Sequence, residues 1–429
     1  MQRTLFYLPH EIGGVPLFGV GWMLGIWLVV TVVMLFVSVR HRGWDKEAWG
    51  QIPFAILVAL AIVFVIPRIE GPMVDPAIVI PPVAVDFGLP IRGYGVMVLV
   101  GVLAAVMLAC RRAVQAGLGA DTMLNVSFVI VVSGIIGARI FFVIQYWPTL
   151  QGETWRATLG NLISIDKGGL VVYGSLIGAA IGFVWFAWRQ RLPVLPLADL
   201  VAPSLTFGLA IGRFGCLLNG CCYGGECGYP WAVTFPTGSP PYVDQQGWGE
   251  FYGFRLAATP DGGGVIIAAV DSDGPFSGMP SGVHLVGING RQSQTLPVAR
   301  YLLEAAGTDV RLQLGDGTTC TGRVSNLPAR SRPVHPTQIY SSINAALLCC
   351  VALAFHPFRR RHGQVFVLSL TLYAVTRFVI ELIRSDEGDF FATLTISQNV
   401  SVLMIMGVIA LWIYIQRQPS LDSEQAGIG

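Results

Sequence analysis

The sequence predicts a polytopic α-helical membrane protein of about nine spans, with a small β-rich insert outside the membrane. Three observations carry that reading. Charged residues make up 12% of the 429 positions and hydrophobic ones 53%, whereas soluble domains carry about 25% charge. Long apolar stretches recur along the chain, and the mean hydropathy is +0.63. That pattern stops for residues 219–335, which are rich in Gly, Pro, Asp and Thr and hold no spanning stretch. So little charge cannot coat a soluble surface of this size. It equally excludes a disordered chain, which needs low hydrophobicity and high charge. A net charge of +2 without a basic tract argues against nucleic acid as a partner.

A spanning helix needs about 20 mostly apolar residues, because lipid offers no partner to a bare backbone group. Nine stretches qualify: 15–39, 52–67, 90–110, 123–147, 169–188, 197–218, 336–357, 363–384 and 396–415. The first is too long for a cleaved signal peptide and lacks its flanks. Basic residues in short loops set the orientation. One alternating set of loops holds Arg40, Arg42 and Lys46, then Arg111 and Arg112, then Arg189 and Arg191, then Arg359, Arg360 and Arg361, and finally Arg417. The opposite set holds Arg3, Arg68, Arg156, Lys167 and the span-bordering Arg384. The first set is therefore predicted to be cytoplasmic, which puts the N-terminus and the insert outside and the tail, 417–429, inside.

Within the insert, strand-like runs occur at 264–270, 284–288 and 310–314, with Gly- or Asp-rich turns between them. One helix is predicted at 296–306, ending at Gly307. Tyr252-Gly253-Phe254, then Gly264-Val265-Ile266-Ile267, then Gly287-Ile288-Asn289-Gly290 resembles a PDZ domain over about 80 residues. Such domains hold a peptide terminus on backbone amides at a sheet edge. Here the amide loop would be residues 251–254. A spacer that binds nothing is the other reading.

Ionisable groups inside a span are costly and point to function. The eighth span carries Tyr373, Arg377, Glu381 and Arg384. Offsets of 0, 4, 8 and 11 place all four within an arc of about 80°. Glu381 is expected to neutralise one arginine at i±4 or i±3, leaving the other unmatched. Arg139 in the fourth span, Arg213 between Gly212 and Gly215 in the sixth, and Tyr94 and Tyr173 in the third and fifth fall at the same predicted depth. Arginines and tyrosines from five spans at one depth predict an anion cavity open to the outer leaflet, suited to a phospholipid head group. Taken singly, each tyrosine is better explained as an interface anchor.

Four motifs then fall in order: Gly168-Gly169-Leu170-Val171-Val172-Tyr173-Gly174, Gly212-Arg213-Phe214-Gly215-Cys216-Leu217-Leu218-Asn219-Gly220, His335-Pro336-Thr337-Gln338-Ile339-Tyr340, and Tyr373 with Arg377, Glu381 and Arg384. Together they resemble the bacterial prolipoprotein diacylglyceryl transferase family, from about residue 78 to 243 and again from 333 to 415. The resemblance implies a seven-span core, in segments 78–243 and 333–416, with two extra N-terminal spans in 1–77 and the PDZ-like insert at 244–332. It implies transfer of the diacylglyceryl group of phosphatidylglycerol to the lipobox cysteine of an exported prolipoprotein, in the bacterial inner membrane and without a cofactor. By the same resemblance, Arg213 and Arg377 match two essential arginines, and Tyr94 and Tyr373 match tyrosines lining the site. Asn219 and Gly224 fall in its signature. Arg139, His335, Gln338, Tyr340, Glu381 and Arg384 are assigned to substrate binding, and Tyr173 and Tyr373 join the arginines in the chemistry. Tyr173 stands where some members carry a histidine, Cys216 replaces an asparagine, Cys221 a glutamate and Ser341 an acid.

Cys216, Cys221, Cys222 and Cys227 cluster near the outer end of the sixth span. Disulfides are the leading reading in an oxidising compartment. Thiols beside the cavity are another, and a metal site a third, although paired Cys-x-x-Cys units are missing; no metal is assigned. Other function classes fit less well. His10-Glu11 is followed by Ile12, Gly13 and Gly14, so the His-Glu-x-x-His of an intramembrane metalloprotease is absent. No serine–histidine pair on facing spans suggests a serine protease, and no inverted repeat suggests a transporter. A non-catalytic lipid or peptide adaptor built on the same fold is the runner-up.

Overall fold

The computed structural model describes residues 4–43, 52, 55–56, 58–68, 71–72, 87–152, 154–163, 169, 171–259, 262–385, 389–391 and 394–421. Its main helices are α1 (Trp22–Arg42), α2 (Gly93–Gln115), α3 (Ala120–Gln145), α4 (Trp155–Ile163), α5 (Val172–Arg189), α6 (Val194–Asn219), α7 (Pro240–Gly247), α8 (Leu296–Glu304), α9 (Thr337–Phe355), α10 (Gln364–Glu381) and α11 (Ile396–Gln416). Eight helices among the described residues are long and apolar enough to cross a membrane, and they coincide with eight of the nine predicted stretches. In the remaining stretch, 52–67, residues 53, 54 and 57 lie outside the described residues. The rest of it is helical, passing through a π turn at Ala61–Val65 and closing in a 3-10 turn at Ile66–Arg68. On α1, Val29, Val32 and Phe36 are each more than 60% exposed, which suits lipid and not water. The protein is a multi-pass membrane protein.

The chain divides into two compact units. One comprises Leu209–Leu347 with Leu370–Ile409; the other comprises Thr4–Gly208, Leu348–Ser369 and Ala410–Gly429. In the second unit, α3 and α5 pack through small residues. Gly174, Gly178 and Gly182 recur every fourth position along one face of α5. A Cβ added at Gly137 would lie 2.8 Å from the Gly178 Cα, so the two backbones touch. Helices that gain nothing from hiding apolar surface in lipid associate in this way. Strand β1 (Thr4–Pro9) pairs antiparallel with β2 (Phe87–Arg92), which leads directly into α2. The extra N-terminal segment is thereby hydrogen-bonded to the start of the predicted core.

The insert lies in the first unit and has its own hydrophobic core, built on Tyr252, Phe254, Leu256, Ile267, Ile288, Leu303 and Leu312. Strands β3 (Phe254–Ala258) and β4 (Val265–Val270) form one antiparallel pair. Strands β5 (Leu285–Ile288), β6 (Arg291–Gln292), β7 (Asp309–Leu314) and β8 (Thr319–Arg323) form a sheet in the order β8-β7-β5-β6. A bridge from Ile266 to His284 joins the two. The three predicted strands and the predicted helix are present. Strands β3, β6 and β8 were not anticipated: β8 is a polar edge strand, Thr-Cys-Thr-Gly-Arg, with no apolar alternation.

Two expectations for the insert need correction. A boundary at 243/244 cuts through α7, which packs on α8: Gln246 Nε2 donates to the carbonyls of Leu303, Glu304 and Ala306 at 3.0–3.2 Å. The loop at 251–254 does not present open amides either. Its N–H groups at Tyr252 and Phe254 donate to Gly249 O at 2.9 and 3.3 Å, and that at Gly253 donates to Glu250 O at 3.4 Å. The neighbouring edge of β3 is also engaged, since Leu256 N–H donates to Trp248 O at 3.0 Å.

Candidate active site

Helix α10 is largely apolar, and Arg377, Glu381 and Arg384 gather in a stripe at its C-terminal end. Glu381 is buried, with 2% exposure. Its Oε2 lies 2.8 Å from Arg377 Nη1 and 3.0 Å from Arg384 Nη1. The expectation that one arginine would be left unmatched is therefore corrected. The i+4 and i−3 offsets bring both guanidinium groups onto a single carboxylate oxygen. One carboxylate still neutralises one charge, so the trio keeps a net positive charge. Arg377 Nη2 also donates to Ser397 Oγ at 2.8 Å, and Thr395 Oγ1 donates to Glu381 Oε1 at 3.4 Å. The first turn of α11 thus fixes the stripe from outside its own helix.

Arg213, half-buried near the end of α6, lies within electrostatic reach of Tyr373 and Arg384, as well as of Cys216 and Cys222. Helix α6 stops at Asn219. Gly220, with φ +78°, supplies the left-handed residue that helix ends favour. The chain then threads between the start of α9 and the end of α10. Gly224 N–H donates to His335 O at 3.0 Å, His335 N–H to Gly225 O at 2.9 Å, and Gly225 N–H to Ile383 O at 3.0 Å. Gly224 has no room for a side chain: a Cβ would lie 2.7 Å from His335 Cβ and 2.9 Å from Ile383 O. Gln338 Nε2 donates to Cys221 O at 2.7 Å, and Thr337 Oγ1 donates to Cys222 O. Gln338 is thus a brace for the turn.

The chain that builds this arrangement is similar in sequence to known proteins. The family model for prolipoprotein diacylglyceryl transferase matches residues 82–414. The chain belongs to the prolipoprotein diacylglyceryl transferase family. It is 34% identical to the phosphatidylglycerol–prolipoprotein diacylglyceryl transferase of Rhodopirellula baltica, over 94% of this chain and 87% of that protein. A match that long reaches into the N-terminal segment that the family model leaves out. A second enzyme of that name from Clostridium perfringens is 27% identical over 76% of this chain and 91% of its own length.

Ten of the thirteen residues read from the sequence as the transferase site lie in the first unit: Arg213, Asn219, Gly224, His335, Gln338, Tyr340, Tyr373, Arg377, Glu381 and Arg384. Tyr94, Arg139 and Tyr173 lie in the second. Tyr94 is 44% exposed and Tyr173 half-buried. Arg139 has a defined structural task. Its Nε, Nη2 and Nη1 donate to the carbonyls of Leu162, Asn161 and Gly169 at 2.8, 2.6 and 3.1 Å. Two of these are end carbonyls of α4, which lack intrahelical partners. Through these bonds Arg139 ties Asn161, Leu162 and Gly169 to α3.

Sequence reasoning missed the aromatic rim beside the signature turn. Trp231 Nε1 donates to Tyr340 Oη at 2.8 Å, which lies 3.3 Å from His335 Nδ1, and Tyr229 stacks on Trp231 with centroids 4.8 Å apart. Both Tyr229 and Trp231 are exposed, as amphipathic rings at a membrane interface are. It also missed Asp199, a buried acid in α6. Among the described residues no disulfide joins the clustered cysteines. The Sγ atoms of Cys216, Cys221 and Cys222 instead lie within 4.8 Å of one another.

Proposed function

We propose that this chain transfers the diacylglyceryl group of phosphatidylglycerol to the lipobox cysteine of exported prolipoproteins, forming a thioether and releasing glycerol phosphate. The observation that carries the reading is the surplus of fixed positive charge in the first unit: Arg213, Arg377 and Arg384 against the single carboxylate of Glu381. Displacing a phosphate from an sp³ carbon builds negative charge on the leaving oxygens, and cations already in place lower that barrier. Glu381 and Ser397 hold the Arg377 fork in one orientation, so little reorganisation is needed as the charge grows. Arg213 is its partner at the phosphate, with Tyr373 beside it.

Asn219, Gly224, Gln338 and His335 shape the turn that carries Arg213's surroundings, and Tyr340 belongs to the aromatic rim where lipid or signal peptide enters. Tyr94 and Tyr173, assigned from the sequence motifs, keep their proposed part as substrate-lining residues. Tyr173 orients substrate through its hydroxyl in this proposal. The protein sits in the bacterial inner membrane with its N-terminus and insert outside and its C-terminus inside, as the basic loops indicate. For the insert, the engaged amides at 252–254 and the engaged edge of β3 favour a spacer or docking module that a peptide terminus enters only by displacing those bonds.

The test is transfer to a lipobox reporter peptide by full-length protein in phosphatidylglycerol vesicles, read as the mass of one added diacylglyceryl group. Arg213→Ala and Arg377→Ala are each expected to lower the rate by about 10²-fold or more. Wild-type rates in both variants would leave the adaptor reading standing.

A further inference from the structure

The sulfur cluster at the end of α6 has no part in the arginine chemistry, and a role for it in catalysis rests on the transferase reading. Gly220 reverses the chain so that its own N–H and that of Cys221 both donate to Cys216 O, at 2.9 and 3.2 Å. Cys222 then adopts φ +58°, an uncommon conformation for a residue with a Cβ. These two left-handed steps fold residues 221 and 222 back over residue 216, gathering three Sγ atoms within 4.8 Å of one another. Thr337 and Gln338 clamp the carbonyls of Cys222 and Cys221. Asn219 hydrogen-bonds the Cys221 side chain, and Arg213 stands within electrostatic reach of Cys216 and Cys222.

We propose that Cys216, Cys221 and Cys222 form a zinc site whose fourth position takes the thiol of the acceptor cysteine. A tetrahedral zinc with bonds of about 2.3 Å holds its sulfurs about 3.8 Å apart, so the cluster closes by a shift of about 1 Å or less. Thiolates select zinc over the hard cations magnesium and calcium. Three protein ligands with one open position make a catalytic site; a fourth protein ligand would make a structural one. Three thiolates around Zn²⁺ leave one net negative charge, and Arg213 faces it.

Removing the acceptor thiol's proton is the step that the arginines do not supply. A free thiol has a pKa of about 8.5, so only a few per cent is thiolate at pH 7, and a guanidinium cannot accept its proton. A thiol that coordinates a metal is deprotonated outright. The acceptor S–H proton leaves to water, and the sulfur forms a C–S bond at the glyceryl carbon. The C–O bond to phosphate breaks with its electron pair on oxygen, beside the arginines. The thioether produced is neutral and a weaker ligand, so it leaves the site. Nothing is oxidised or reduced.

Full-length protein purified in detergent under reducing conditions is assayed for zinc by elemental mass spectrometry. Wild type and Cys227→Ser, a buried cysteine outside the cluster, are expected to hold about one zinc per chain, and Cys216→Ser/Cys221→Ser to hold none. Cobalt exchanged into wild type is expected to show a thiolate charge-transfer band that shifts with a lipobox peptide but not with its Cys→Ser version. Chelation of wild type, which needs no variant to fold, is expected to slow transfer at pH 7 by up to about 30-fold, the ratio of full to partial thiol ionisation. The deficit should shrink towards pH 9 and reverse on adding zinc. Full transfer by metal-free protein, a cobalt band indifferent to peptide, or thiols alkylated only after reduction would each overturn the zinc site and leave the transferase reading intact. Zinc-loaded protein without transfer would do the opposite.

Discussion

Helix α10 begins and ends at a buried acid flanked by two arginines, and the two acids do different work. At the start, Asp199 Oδ2 accepts from Gly363 N–H at 2.7 Å and Oδ1 from Phe366 N–H at 2.9 Å. Its arginines stand off: Arg359 Nε is 3.8 Å away, and Arg112 Nη2 donates to the Asp199 backbone carbonyl at 3.5 Å. At the end, Glu381 gives one oxygen to two guanidinium groups at 2.8 and 3.0 Å and accepts a longer bond from Thr395. Charge counts alone do not separate a structural cluster from a catalytic one. Asp199 spends its acceptors on the N–H groups that a helix start leaves bare. Glu381 spends its own on cations, which it aims without cancelling.

The largest effect expected from breaking this contrast is at Glu381. Glu381→Gln keeps the shape but leaves two nearly buried guanidinium groups without a counter-charge, a loss of about 3–5 kcal/mol. Unfolding in detergent should register that loss, and transfer by the remaining folded protein should fall as well. A variant with wild-type stability would mean that solvent screens the trio. Asp199→Asn comes next, at about 1–3 kcal/mol, because its one oxygen can accept from only one of the two amides while its NH2 group faces the other. Here the folded fraction should keep its transfer rate. Loss of rate per folded molecule would erase the distinction between the two ends. Gly224→Ala tests the turn beside the Glu381 end: its Cβ would strike His335 Cβ and Ile383 O, costing about 1–3 kcal/mol as an overpacked site does. Unchanged melting would show that the signature turn can shift.

The α10 stripe was legible because four polar residues at helical spacing stand out against an apolar span. Eight spans were legible for the same reason. Arg139 stood out as a charge inside an apolar span, but two of the carbonyls that take it belong to α4, for which the short mixed run 155–163 gave no signal. Asp199 escaped notice because its partners are backbone amides more than 160 residues away, and amides leave no mark in a sequence. The three-thiol cluster was hidden by reading spacing along a line. Positive φ angles at Gly220 and Cys222 fold that line back on itself. In the insert, the Tyr-Gly-Phe motif was visible but its hydrogen bonds were not, because the acceptors at Gly249 and Glu250 are set by a turn.

The smallest expected effect lies at Arg359, and it isolates what the stand-off at Asp199 means. At 3.8 Å from Asp199 Oδ2 and with 22% of its side chain exposed, Arg359 is an ion-pair partner in a partly wetted setting. Such pairs contribute about 0.2–1 kcal/mol after side-chain ordering and salt screening. Arg359 Nη1 also donates to His356 O at 2.7 Å, so its position does not depend on the acid. Arg359→Gln should therefore lower stability by about 1 kcal/mol or less, and the loss should shrink further in high salt. Transfer should not change. A loss comparable with that of Asp199→Asn would mean that the acid is held chiefly by its cation and not by the two amides. The two ends of α10 would then be one device used twice.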